Sequence, residues 1–426
     1  MTRAKAFGVL LLIAIAVSVS WQELGAKTPR AHRISPDYRQ LDLFADAFGL
    51  ILSDYVEVPD QEKLIKAAIN GMLASLDPHS SVMNAKELNE FRAEVTGKLG
   101  GVGLEVTMDD GVLKVIAPLD GTPAAQAGIL ANDLIVRLDG EEVMGMTLSE
   151  AIDKMGGRVN TPVLLTILRP GKEEPIEMRL TRKLIRVKSV KASAEGNIGY
   201  LRVSSFTEQT RKGLDQAISQ LGKELGPNLR GWIIDLRNNP GGLVREAIAV
   251  SNIFLKEGEI VSLRGRDQSK IQHFYAKPDG RKNDEPVAVL INGGSASAAE
   301  IVAGALQDHK RAQVIGTRSF GKGSVQSVLP FGRQGALVLT TARYYTPSGR
   351  SIQAKGIVPD IVVEENLKPD ELEIGSEAGL HGHLKSDDGE EQAGSSSYVP
   401  QEKAKDTQLQ VAIDLLNGKK VGLLAK

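Results

Sequence analysis

Cysteine is absent from the 426 residues and histidine occurs only six times. Without a thiol there is no cysteine nucleophile, no disulfide framework and no Cys-ligated zinc or iron–sulfur site. The histidines are His32, His79, His273, His309, His381 and His383, and none sits in an H-E-x-x-H arrangement. The one close pair, His381 and His383, lies in a Gly/Ser/acid-rich stretch, so a zinc hydrolase is not expected and no metal site is assigned. A charge bias is missing too: 52 Lys+Arg against 53 Asp+Glu leave a net charge of −1, which argues against a nucleic-acid partner. Hydrolytic chemistry in such a chain has to come from Ser, Thr, Lys or carboxylates. With 42% hydrophobic and 25% charged residues, the composition is that of a soluble globular protein. The length suggests two to three domains of about 150 residues each.

At the N-terminus Arg3 and Lys5 precede an unbroken apolar run from Phe7 to Val17, followed by Ser18 and Ser20. This reads as a signal peptide or short anchor over residues 1–25. The run is shorter than the roughly 20 residues a spanning helix needs, which favours export with cleavage.

Leu41, Phe44, Phe48, Ile51 and Tyr55 fall at steps of three and four and predict an amphipathic helix. A second apolar helix carries Leu64, Ile65, Ala68, Ile69, Met72, Leu73 and Leu76, and stops at Asp77-Pro78. Together they make a helical region over 36–96 whose apolar faces suit either core packing or contact between subunits. Residues 97–183 turn to short β-like runs: Gly103–Val106, Val112–Ile116, Leu134–Leu138 and Val163–Leu168, with a helix at Leu148–Met155. From Ile198 onward strands and helices alternate: Ile198–Val203, Gly213–Leu221, Gly231–Leu236, Leu243–Phe254, Val287–Ile291 and Ala298–Leu306. That alternation predicts an α/β core over 184–370, a mixed sheet with flanking helices. Residues 376–405 are polar, Gly/Ser-rich and acidic and predict a flexible linker. A last amphipathic helix over 406–418 carries Leu409, Ala412, Ile413 and Leu416, with Gly418 as its stop.

The run Gly100-Gly101-Val102-Gly103-Leu104-Glu105-Val106 puts glycines directly before a strand. There, backbone N–H groups can converge on a carboxylate, and the strand edge can pair with an extended peptide. Downstream, Pro123-Ala124-Ala125-Gln126-Ala127-Gly128-Ile129, Asp133-Leu134-Ile135 and Leu138-Asp139-Gly140-Glu141 resemble the signature of PDZ domains. The resemblance implies a small β-rich domain that grips C-terminal tails, with Gly101, Val102, Gly103 and Leu104 as the peptide-binding loop.

Two segments carry the candidate chemistry. Asn292-Gly293-Gly294-Ser295-Ala296-Ser297-Ala298-Ala299-Glu300 runs into a helix, where a serine hydroxyl would meet the positive end of the dipole. The competing account is structural: Ser297-x-x-Glu300 is a capping box, and on local residues alone it is the stronger reading. Gly316-Thr317-Arg318-Ser319-Phe320-Gly321-Lys322-Gly323-Ser324 nearly matches a phosphate-binding loop. However, Gly323 stands where a hydroxyl should hold magnesium, and strand-like sequence follows where that loop needs a helix. Lys322 between two glycines also suits a general base, because desolvation disfavours the ammonium form.

The chain closely resembles the carboxyl-terminal processing peptidases, or tail-specific proteases. The motifs are Leu76-Asp77-Pro78-His79-Ser80, the PDZ-like segment, Asp235-Leu236-Arg237-Asn238-Asn239-Pro240-Gly241-Gly242, Gly294–Glu300 and Phe320–Gln326. The resemblance implies a Ser/Lys dyad spaced by twenty-five residues, which selects Ser297 and Lys322. It further implies Gln326 as the residue that orients the lysine and Asp308 as a position sometimes added as a third member, although an exposed helix-end Asp is the stronger reading of Asp308. The oxyanion donors would be the Ala298 N–H with Gly241 or Gly242.

The expected architecture is an α/β protease core with an inserted β-rich PDZ domain and helical N- and C-terminal segments. The expected function is a periplasmic serine endopeptidase, free or at the periplasmic face of the inner membrane, that cleaves envelope proteins with accessible apolar C-termini. It needs neither metal nor nucleotide as cofactor, and self-association, an adaptor protein and membrane contact through the N-terminus accompany this reading. A non-catalytic PDZ scaffold and an NTPase built on Gly316–Lys322 are the rival classes.

Overall fold

The computed structural model describes residues 39–419 except positions 110, 120, 173, 187, 279–283, 333–334, 366–373 and 401, so the leader read over 1–25 lies outside the described residues. The described residues divide into two units, one up to Lys66 and one from Ala67 onward. In the first, the predicted amphipathic helix is present as Arg39–Asp54, with no buried residue and with the Phe44 and Phe48 rings stacked 6.5 Å apart. The helix Gln61–Ala74 ends just ahead of Asp77-Pro78, as the proline rule requires. Among the described residues no helix is long and apolar enough to cross a membrane.

The centre of the second unit is a six-stranded sheet in the order Val190–Glu195, Ile198–Val203, Gly231–Asp235, Val287–Ile291, Ala312–Gly316, Ile361–Val362. Its first two strands form an antiparallel hairpin and the rest run parallel. Gly231–Asp235 and Val287–Ile291 are buried at every position, which is why they read as unbroken apolar runs. Strand alternation sends Trp232, Ile234, Val287, Val289 and Ile291 to one face, in the same core as the helices Thr210–Leu225, Val244–Phe254 and Ala298–Asp308. Ile233, Ala288 and Leu290 point to the other face, where Leu409, Ala412 and Leu416 of the helix Thr407–Leu416 cover them.

A second, antiparallel sheet orders Ser81–Met83, Ala336–Tyr345, Glu259–Gly265 and Gln272–Tyr275, with Ser324–Pro330 also paired to Ala336–Tyr345. The inserted β-rich domain has its own five-strand path, Leu104–Asp109, Val112–Pro118, Leu134–Leu138, Pro162–Leu168 and Ile176–Thr181. Its separate core includes Val102, Leu113, Val115, Ile135, Leu165 and Ile167. Where the chain enters and leaves this domain, Lys98–Gly101 and Lys183–Arg186 pair as a two-stranded ribbon.

One element departs from expectation. In place of a flexible linker over 376–405, Ile374–Gly375 pairs with Ser395–Ser396, and Glu377 is fully buried. The Gly293 N–H donates to the Ser396 carbonyl at 3.0 Å and the Gln392 N–H to the Ala354 carbonyl at 2.9 Å. The polar composition reflects cross-links to the body, which local composition cannot distinguish from solvation.

Candidate active site

Two loops at the carboxyl ends of neighbouring parallel strands are laced together, the position where open α/β sheets place ligands. The Asn292 side chain accepts the Asn238 N–H at 2.8 Å and donates to Asn238 Oδ1 at 2.9 Å. The Ala296 N–H reaches the Asn239 carbonyl at 2.9 Å. Ser295 is consumed by this lacing: its hydroxyl donates to the Leu236 carbonyl at 2.8 Å and accepts the Asn292 N–H at 2.9 Å. That leaves Ser297 as the serine of the corner without a role in the lacing.

Ser297 precedes the helix Ala298–Asp308 with φ 54° and ψ −112°. Ordinary N-caps are extended; a non-glycine residue held in this sparsely populated region costs about 1–3 kcal/mol and marks a functional constraint. Gly241 makes the close approach possible. A side chain there would bring its Cβ to 2.8 Å from Ser297 Cβ and 3.0 Å from the Ala298 nitrogen. Burial pushes the nearby Tyr344 phenol up to about 12.

Glu300 does more than cap. Fully buried, its carboxylate accepts the Ser297 N–H at 2.7 Å and the Lys322 N–H at 2.9 Å on one oxygen. The other oxygen accepts the Ser319 hydroxyl at 2.5 Å and the Gly321 N–H at 2.8 Å. Burial raises this carboxyl to about 7 despite the donors. Sequence reasoning found the Ser297–Glu300 half of this arrangement and missed the half that reaches Lys322.

Lys322 is half-buried, and burial holds its amine below the usual lysine range, opposed by Glu377, Glu300 and Asp77. Among the described residues its Nζ has no ion-pair partner and no hydrogen bond to Ser297 Oγ. The phosphate-loop alternative lacks its helix: Ser324–Pro330, immediately after Gly323, is a strand.

The remaining predicted residues are distributed as follows. Gln326 lies on the strand after Lys322, but its amide donates to Ser324 Oγ at 3.0 Å and Thr340 Oγ1 at 3.1 Å, with no bond to Lys322 among the described residues. Asp308 ends the same helix that begins after Ser297, about 15 Å along the axis. It pairs with Arg350 and accepts the Ser348 N–H at 2.9 Å, so the structure separates it from the corner. Of the glycine pair, the Gly241 N–H is taken by Asn239 Oδ1 at 2.9 Å. The Gly242 N–H meets no acceptor among the described residues, and the Ala298 N–H is a first-turn donor that the helix cannot satisfy. In the inserted domain Gly101 closes the ribbon, Val102 is buried and Gly103 adopts φ 78°. A Cβ on Gly103 would strike Thr122 at 2.4 Å. Leu104 opens the edge strand Leu104–Asp109, which pairs on one side only among the described residues.

The fold and the corner define a hydrolase body of the S41 type interrupted by a PDZ domain. Residues 197–363 match the model of peptidase family S41, residues 114–169 that of a PDZ domain, and residues 13–87 that of the activating protease CtpB N-terminal domain. The chain is 50% identical over 387 residues to a carboxy-terminal-processing protease of Bartonella bacilliformis, covering 89% of each. It is 34% identical over 362 residues to a CtpA-like serine protease of Staphylococcus aureus (strain COL), covering 84% of this chain and 71% of that one. A crystal structure assigned to an S41 protease of Bacteroides fragilis NCTC 9343 shares the fold at a TM-score of 0.50 and 16% identity, over 87% of this chain and 96% of that one. The chain belongs to peptidase family S41, among the carboxy-terminal-processing proteases.

Proposed function

We propose that this protein is a serine endopeptidase that captures C-terminal tails in its PDZ domain and cleaves them with Ser297 as nucleophile and Lys322 as base. The observation that carries the reading is the strained backbone of Ser297 against Gly241, which a simple helix cap does not need. In the reaction, neutral Lys322 takes the Ser297 proton as Oγ attacks the scissile carbonyl. The oxyanion is received by the Ala298 and Gly242 N–H groups, the two free donors of the corner. The proton then passes from Lys322 to the leaving amine, and water releases the acyl-enzyme. Gln326 supports this geometry through Ser324 and Thr340, on the strand that Lys322 leads into.

A tail would add as a strand beside Leu104–Asp109, with its carboxylate in the loop Gly101–Leu104. The charged leader Arg3–Val17 supports export, with periplasmic envelope proteins as substrates and an anchor at the membrane face if the leader is retained. The apolar face of the helix Arg39–Asp54 supports self-association, and an adaptor is a further partner of this reading.

The test is hydrolysis of an unfolded protein with an apolar C-terminus by the full chain, against Ser297→Ala and Lys322→Ala. Both variants are expected to lose cleavage while still binding the tail. Unchanged proteolysis in either sinks the dyad. Tail binding without cleavage in the wild type would leave a PDZ scaffold, and magnesium-dependent ATP hydrolysis would restore the nucleotide-loop reading.

A further inference from the structure

The segment around Glu377, which composition predicts as linker, is bonded to the loop that carries Lys322. The Glu377 N–H donates to the Phe320 carbonyl at 2.9 Å. Its side chain, fully buried, accepts the Gln353 amide at 2.9 Å, and the oxygen of that same amide accepts the Gly323 N–H at 3.0 Å. Glu377 therefore reaches the loop on both sides of Lys322, at Phe320 directly through its backbone N–H and at Gly323 through Gln353. Its second contact is His79, whose Nε2 stands 3.0 and 2.8 Å from the two carboxylate oxygens. His79 is in turn fixed by its N–H to Asp77 at 2.9 Å, and Asp77 also accepts the Ser80 hydroxyl and Thr340 Oγ1.

We propose that Glu377, clamped by His79 and Gln353, is a positioning residue for Lys322: it fixes the lysine loop and sets the charge facing the amine. The inference rests on the Ser297/Lys322 reading. A fully buried carboxylate is costly to keep unless it is paired and hydrogen-bonded, and here its partners are His79 and Gln353, the second of which also accepts the N–H of Gly323 next to the base. The charged groups facing Lys322 are Glu377, Glu300 and Asp77. Those facing Glu377 are His79 from the Asp77–Ser80 turn, Lys322, and His383 from its own segment, the last paired with Glu391 at 3.0 Å. A negative charge at Glu377 favours the ammonium form, so its removal makes Lys322 easier to deprotonate.

The experiment is the pH profile of kcat and kcat/KM for peptide hydrolysis by the full-length enzyme and its Glu377→Gln, Glu377→Asp and Gln353→Ala variants, with Lys322→Ala as reference. Glu377→Gln keeps the hydrogen-bonding shape and is expected to move the acid limb about one pH unit lower. Glu377→Asp and Gln353→Ala keep the charge but break the strap. Both are expected to lower kcat at least ~10-fold with KM little changed and the limb in place. A Glu377→Gln limb superimposable on wild type, or wild-type kcat in Gln353→Ala, overturns the proposal. The second outcome is decisive even if Glu377→Gln fails to fold. Activity retained by Lys322→Ala would instead remove the dyad reading on which the proposal stands.

Discussion

Ser297 donates its backbone N–H to the Glu300 carboxylate at 2.7 Å, and the oxygen that receives it also receives the Lys322 N–H at 2.9 Å. One buried atom thus sets the spacing of two residues that are twenty-five apart in the chain. In Glu300→Gln one oxygen becomes an NH2 that must face two donors, so two N–H or O–H groups lose their acceptor. A loss of about 2–4 kcal/mol of stability is expected, with a kcat drop of at least ~100-fold. The sign of the pH effect is fixed by the folded carboxyl being raised from 4.5 to about 7 by burial. Its contribution to stability is complete below the unfolded value and is lost as pH rises through 7. Thermal melts from pH 4 to 8 should therefore show the advantage of wild type over Glu300→Gln shrinking as pH rises.

Gly241 is expected to tolerate no side chain. Its φ of 105° strains any other residue, and an added Cβ would stand 2.8 Å from Ser297 Cβ and 3.0 Å from the Ala298 nitrogen. Gly241→Ala should fold, with kcat reduced ~100-fold or more because Ser297 and the Ala298 N–H, the proposed nucleophile and oxyanion donor, are displaced together. Steady-state kinetics with tail-binding affinity measured in parallel will check this; an unchanged kcat would remove Gly241 from the site.

For Lys322, burial lowers the pKa and the facing carboxylates only partly restore it. With the neutral amine as the proposed base, kcat/KM is expected to climb about tenfold per pH unit on the acid side and level off above the lysine pKa. Hydrolysis of a peptide with no group titrating in this range gives the profile. A flat acid limb, with the enzyme still folded, would show that no such proton is involved.

How far these features were legible depended on distance along the chain. The parallel strands and their helices could be read because each is a local periodic run, and Gly213–Leu221 was only short of the observed Thr210–Leu225 at its ends. Ser297 and Lys322 could be named through family spacing, while the local pattern favoured a cap. Local reading could not reach contacts closed by the fold. His79 and Glu377 are 298 residues apart, and the Glu377 segment has the composition of a linker. The capping box was visible at Glu300, but its bonds to Ser319, Gly321 and Lys322 depend on how the next strand returns. The strands Glu259–Gly265 and Gln272–Tyr275 give no local signal, the first because Ser262, Arg264 and Gly265 break its apolar run and the second because it is mostly exposed.

Asp308 offers a contrast with the corner. It shares a helix with Ser297 but sits at the far end, where it accepts the Ser348 N–H and pairs with Arg350. Asp308→Ala is expected to lower the melting temperature, by an amount corresponding to about 1–2 kcal/mol, and to leave kcat within about twofold of wild type. A large kcat loss with intact stability would reinstate it as a member of the catalytic group.

The C-terminal helix Thr407–Leu416 depends on Arg237. This guanidinium is 1% exposed, bonds Asp235 at 2.7 Å and holds both oxygens of Asp406 at 2.8 Å. Asp406 itself caps the helix by accepting the Leu409 N–H at 2.9 Å. Burial alone would raise the Asp235 carboxyl, and Arg237 outweighs it, so the group stays ionised below its usual range. Arg237→Ala would leave buried Asp406 without its ion-pair partner, while Asp235 keeps Arg202 at 2.8 Å and the Tyr200 hydroxyl at 2.7 Å, an expected cost of about 3–5 kcal/mol. Because Arg237 directly precedes the Asn238–Gly242 loop, activity should fall with the fold as temperature rises. Asp406→Ala exposes the opposite imbalance, a buried guanidinium missing one partner, and should loosen the helix first. Hydrogen exchange across residues 407–416 will distinguish the two. Protection in Asp406→Ala should drop there ahead of the strand Gly231–Asp235, and simultaneous loss in both segments would mean that the helix and sheet unfold as one unit.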